Sequence, residues 1–293
     1  MNRTAVVLCA ITLAALAACS RPRPLTVGSK DFTEQVLLGE IVAQHVEHRL
    51  SIRVERRLNL QSTLIAHQAL NSGSIDLYPE YTGTALSSIL KLPAESDPNI
   101  VLERVRNEYR FRSHIEWLDP LGFSNSFAMV VRGEDARANR LETLSDAAAY
   151  APGWTLGISP EFMERRDGYP SLRRTYELHL VAAPKNMAAG ALYKALADKQ
   201  VSMMAGYSTD GLLAAGDRKA LRDDKGAFPP CQAALVVRTD ALARFPGLRQ
   251  ALAELSGKLP EATMRNLNYQ VDAEHRPASQ VARAFLRQAG LLH

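Results

Sequence analysis

Tyr81 and Tyr207 stand in matching local settings. Ala69 to Thr82 aligns without a gap on Ala195 to Ser208, and each copy reads as a helix end, a polar turn, a buried strand, then a Tyr followed by a small hydroxyl residue. A tyrosine at the carboxyl end of a strand offers a ligand a π face and a hydroxyl, so two similar halves would each present one ring to a shared crevice. Cys231 is the other side chain with reactive potential, either a small apolar filler or a group at a site; a catalytic thiol there would need a depressed pKa. His45 and His48 lie at i, i+3 with no third metal ligand in view and a charged flank, which reads as a solvated helix face. Gly206 to Gly211 places its second glycine one residue too late for a nucleophile elbow. Phosphate loop, dinucleotide fingerprint and zinc spacing are all missing from the sequence, so the reading is of a chain that holds a ligand without a cofactor and does no catalysis.

The elements that would position those rings alternate. Leu25 to Gly28 reads as a buried strand, and Asp31 followed by Glu34 as the N-cap and capping box of a helix carrying Val36, Leu37, Ile41, Val42 and Val46 on one stripe. Ile52 to Leu58 is a second strand, Thr63 to Asn71 a helix, and Ile75 to Tyr78 a third strand closed by Pro79. Such a β-α-β-α-β order builds a mostly parallel α/β sheet with ligands outside the carboxyl ends of its strands, where Lys30 and Tyr81 to Thr84 fall. A second cycle has strands at Phe127 to Val131, Thr155 to Ile158, near Val181 and at Val201 to Ala205, with a helix from Met187 to Lys199. After Phe228-Pro229-Pro230 come a strand, Ala233 to Val237, and helices around Leu248 to Leu255, Glu261 to Leu267 and Ser279 to Ala289 that have no sheet of their own. The economical path crosses near Gly122 to Asn125, builds a second lobe, and returns near Phe228 to Gln232; two crossings make a hinge.

Composition bounds the partners. The 293 residues are 46% apolar, enough for two modest cores, and 35 Lys and Arg against 31 Asp and Glu are interspersed, so there is no basic stripe for nucleic acid. Arg3 precedes an apolar stretch from Ala5 to Ala18, too short for a stable span and suited to a secretory signal over residues 1–18. Its end, Leu16-Ala17-Ala18-Cys19-Ser20, resembles the lipobox of bacterial lipoproteins, which makes Cys19 the lipidation site and residues 19–24 a tether. The mature chain would then be extracytoplasmic, lipid-anchored to a bacterial membrane, and free of internal disulfides, since Cys9 leaves with the signal and Cys231 is alone.

Five segments in order carry a family resemblance: Val27 to Gln35, Gly73 to Thr84, Glu161 to Arg165, Tyr207 to Gly211, and Asp223 to Lys225 with Phe228 to Pro230. Across residues 25–293 the chain resembles the osmoprotectant-binding proteins of bacterial ABC importers, which bind glycine betaine, choline and related quaternary amines. The resemblance implies a two-lobed periplasmic-binding-protein fold of type II, with residues 25–124 and 229–293 in one lobe and 125–228 in the other. It also implies a monomer that captures its ligand on lobe closure and hands it to a permease whose ATPase is a separate subunit.

A quaternary ammonium has no N–H to donate and a diffuse charge, so aromatic faces suit it. The family's cage positions match Tyr81, Phe127, Tyr207 and Cys231. Phe127 keeps a π face without a hydroxyl, while Cys231 removes a wall, a loss of about 0.5 to 2 kcal/mol and roughly two- to thirtyfold in affinity unless Phe228 or another ring fills the gap. The wider pocket would also suit a bulkier or less methylated amine, or a different zwitterion such as an amino-acid derivative. The family meets a betaine's carboxylate with residues matching Lys30, Thr84 and Arg165, with Arg166 one residue away and Ser62 and Thr63 as weaker candidates.

Overall fold

The computed structural model describes residues 23–93, 95–150 and 152–292; the signal segment and Cys19 lie outside them. Two five-stranded sheets organise the chain, with strand orders β2-β1-β3-β10-β4 and β7-β6-β8-β5-β9. The first comprises β1 (Leu25–Lys30), β2 (Val54–Leu60), β3 (Leu77–Tyr81), β4 (Ile115–Trp117) and β10 (Ala233–Arg238). The second comprises β5 (Phe127–Arg132), β6 (Leu156–Ile158), β7 (Lys185–Asn186), β8 (Met203–Tyr207) and β9 (Arg218–Leu221). Both are α/β sheets flanked by helices, and no helix among the described residues is long and apolar enough to cross a membrane.

The two sheets share one plan. In each, three parallel strands are followed by one antiparallel strand, and the registers coincide: Tyr81 pairs with Ala233 and Leu77 with Val237, as Tyr207 pairs with Phe127 and Met203 with Val131. The repeated Tyr thus ends the same strand in both halves. The chain leaves the first sheet at residues 122–126 and returns at 227–232, and these crossings run antiparallel through a bridge between Ser124 and Gln232. Asn125 N donates to Cys231 O at 2.9 Å, and Cys231 N donates to Ser124 Oγ at 3.0 Å.

Each sheet buries both faces. Leu37, Leu38, Ile41 and Val42 of the helix Thr33–Leu50 pack with Leu235, Val281 and Leu286, so the C-terminal helices (Leu248–Ala253, Glu261–Asp272, Ala278–Gln288) complete the first lobe's core instead of forming a layer apart. The other face packs under Thr63–Asn71 and the helix Pro98–Ser113, which is capped by Asp97.

Several local expectations are corrected. The N-cap of Thr33–Leu50 is Phe32, with no side-chain cap, because the Glu34 carboxylate is buried and engaged elsewhere. Pro79 lies inside β3. Leu235 gives its carbonyl to Leu118 N on the far side, so Pro79 faces β10 at a position that needs no N–H, and β1 pairs with β3 only at Leu77. Val181 is exposed; the strand expected there is the short β7, preceded by a lone bridge between Trp154 and Leu180. His45 is wholly buried, its Nε2 2.9 Å from Ala251 O, and so is not on a solvated face.

Candidate ligand-binding site

A cavity of about 710 Å³ lies where the carboxyl ends of the two sheets meet. Lys30, Tyr81, Thr84, Phe127, Arg165, Tyr207 and Cys231 all line it. Thr63 and Ser62 line it too; Arg166 does not.

The second-lobe wall is a packed aromatic cluster. The Phe127 ring stacks on Tyr207 at 5.1 Å and 25°, and meets Phe162 and Phe228 edge-on at 4.8 and 5.9 Å. The sequence builds it locally. Ser159 caps the short helix Pro160–Glu164, which holds Phe162 beneath Phe127 and sets Glu161 one turn from Arg165. The Tyr207 hydroxyl donates to Glu161 Oε2 at 3.0 Å, and burial raises that phenol's pKa. Asp223 explains the motif that ends in Phe228: its carboxylate accepts from the Tyr176 hydroxyl and from the backbone N–H of Ala227 and Phe228, fixing the loop that delivers the ring.

The first-lobe wall is Tyr81 with Phe32, near-parallel rings 6.3 Å apart. Phe32 is a wall residue beyond those the sequence points to, although it sits inside the Val27 to Gln35 motif, where an aromatic at a strand-to-helix turn is the available signal. Cys231 lies in a tight spot: its Sγ is 3.8 Å from Thr84 Oγ1, and a Cβ on Gly83 would come within 2.8 Å of Pro230 O and 3.2 Å of that sulfur. Burial pushes the Cys231 thiol up, the opposite of what a nucleophile needs.

Glu34 has the spacing of a capping residue, yet it is the polar centre of the site. It accepts from the Tyr81 hydroxyl at 2.6 Å, Asn125 Nδ2 at 2.9 Å and Asn268 Nδ2 at 2.8 Å, so it ties a first-lobe ring to the crossing segment and to the helix Glu261–Asp272. Asn268 donates also to the second lobe's Thr209 O, and Arg265 donates to Ser208 O at 2.8 Å. Gly211 permits this contact, since a Cβ there would lie 2.5 Å from Tyr269 N. Desolvation raises the pKa of Glu34 despite its four side-chain donors.

The two cations are already paired. Lys30 Nζ lies 2.6 Å from Glu80 Oε1 and 4.8 Å from the centre of the Tyr81 ring. Arg165 forks onto Asp167 at 2.7 and 2.9 Å, reaches Glu161 at 2.9 Å, and stands 4.9 Å over Phe127. Among the described residues no group of three or more His, Cys, Asp or Glu side chains is placed to hold a metal ion.

Residues 23–288 match a family described as the substrate binding domain of ABC-type glycine betaine transport systems. The carnitine transport binding protein of Listeria monocytogenes (serotype 1/2a, strain 10403S) is 33% identical over 282 residues, covering 93% of this chain and 91% of that protein. The ergothioneine transport permease/ergothioneine binding protein of Helicobacter pylori (strain G27) is 33% identical over 270 residues; the chain spans 48% of its length. A crystal structure of a glycine betaine/carnitine/choline ABC transporter superposes with a TM-score of 0.86 at 30% identity, covering 91% of this chain and 99% of that one.

Proposed function

We propose that this chain, which belongs to the family of substrate-binding domains of ABC-type glycine betaine transport systems, captures a small quaternary-ammonium or betaine-type solute between its lobes and delivers it to a permease. The observation that carries the reading is the meeting of rings from opposite sheets at one cavity: Tyr81 and Phe32 from one side, Phe127, Tyr207 and Phe228 from the other. Such rings hold a diffuse cation by quadrupole and apolar contact together, with no N–H needed from the ligand. Thr84 and Cys231 form the floor beside the crossings.

A receptor for an importer works outside the cytoplasm, held by a lipid on Cys19 after removal of residues 1–18, as a monomer with no turnover of its own. Residues 25–124 and 229–293 form one jaw and 125–228 the other, and ATP hydrolysis belongs to another subunit. The second reading, a thiol enzyme at Cys231, is disfavoured by the burial that keeps that sulfur protonated.

A thermal-shift screen of methylated amines tests the reading. Glycine betaine, choline, carnitine or ergothioneine should raise the melting temperature in a concentration-dependent way, while the corresponding primary amines should not. Absence of any shift at millimolar ligand, with no heat in calorimetry, would reject the quaternary-amine assignment.

A further inference from the structure

The charges around the cavity are unequal. Among the described residues, Asp31, Glu34, Glu161, Asp167, Asp210 and Asp272 line it, against Lys30 and Arg165. Both cations have close carboxylate partners, Glu80 for Lys30 and the Asp167–Glu161 pair for Arg165, so a ligand carboxylate would have to compete for each with an ion pair at 2.6 to 2.9 Å.

Two buried carboxylates are in the converse position, one on each side of the cavity. Glu34 accepts from Tyr81, Asn125 and Asn268 and is also reached by the Thr209 hydroxyl, and Asp210 accepts from the Tyr193 hydroxyl at 2.8 Å and from Tyr207 N at 2.9 Å. All of these donors are neutral. Burial raises the pKa of both carboxyls, and no cation beside either one offsets it. Asn125 and Asn268 each turn the amide nitrogen to Glu34, so their donors are spent on that carboxylate and not on a ligand.

We propose that the ligand of this cavity carries a net positive charge, an alkylated ammonium whose other end is neutral and donates a hydrogen bond, and that Glu34 sets this preference. The inference rests on the reading of the cavity as a quaternary-amine site. A zwitterion brings no net charge to a lining rich in carboxylates, and its anionic end meets acceptors and occupied cations. A cation supplies the counter-charge that Glu34 and Asp210 lack.

Choline and glycine betaine share a trimethylammonium group and differ in a hydroxymethyl against a carboxylate, so titrating both calorimetrically at low ionic strength isolates the tail. The wild type should bind choline at least about tenfold more tightly. Glu34→Gln should reduce that ratio by about tenfold, and Asp210→Asn, a second variant on the other lobe, should reduce it as well; a purely structural role would weaken both ligands alike and leave the ratio unchanged. Betaine binding as tightly as choline, or a ratio that neither variant moves, overturns the inference while leaving the quaternary-amine reading intact. Failure of both ligands to bind the wild type at millimolar concentration overturns that reading and the inference with it.

Discussion

At the scale of single residues, the site separates side chains that line the cavity from side chains that hold those in place. Glu80 belongs to the second group: it is fully buried, neutralises Lys30, and accepts from the Tyr78 hydroxyl and Tyr81 N as well. Replacing it by Gln strands a buried ammonium, and we expect a loss of about 3 to 5 kcal/mol in chemical denaturation. Glu34 behaves differently. Its pKa is raised in the folded chain above the ordinary carboxylate value near 4.3, so the wild type loses stability as pH rises through that value toward the folded one. The non-titrating Glu34→Gln variant should therefore gain on the wild type as pH rises above about 4, read as converging or crossing urea midpoints. Cys231, 8% exposed, should resist alkylation in the native state and react readily once urea unfolds the chain; rapid native labelling with a low apparent pKa would instead revive a reactive thiol.

At the scale of elements, what was legible in the sequence followed the strength of the local pattern. The strand-to-helix alternation and the parallel between Ala69 to Thr82 and Ala195 to Ser208 rest on apolar runs and turn residues, and β3 and β8 end at Tyr81 and Tyr207 in the same register. What escaped was whatever tertiary pairing decides. Pro79 reads as a terminator until the antiparallel β10 shows that its missing N–H faces no acceptor there. Glu34 has the spacing of a capping box, and only the approach of Asn125 and Asn268, far away in sequence, turns it inward. Phe32 and Phe162 carry no periodic signal, because their role depends on the rings they meet. The C-terminal helices offered no strand to dock on, yet Leu286 is fully buried against the first lobe. Leu286→Ala should cost about 2 to 5 kcal/mol of stability in urea denaturation with ligand affinity preserved in the folded fraction, since that helix lies away from the cavity.

At the scale of the whole molecule, two similar sheets face each other across a double crossing, and the helix Glu261–Asp272 bridges them through Asn268 and Arg265. Glu34 links the Tyr81 hydroxyl to both the crossing and the bridging helix, so on the proposed capture between lobes closure would change how one aromatic wall meets the other. The measurement that bears most directly on this account is calorimetric titration of one trimethylammonium ligand into the wild type, Tyr81→Leu and Tyr207→Leu, each variant first checked for a cooperative unfolding transition. Each ring is worth about 0.5 to 2 kcal/mol to the cation, so both variants, one from either lobe, should bind roughly two- to thirtyfold more weakly. Wild-type affinity in either folded variant would contradict a ligand gripped by aromatic faces from both sides.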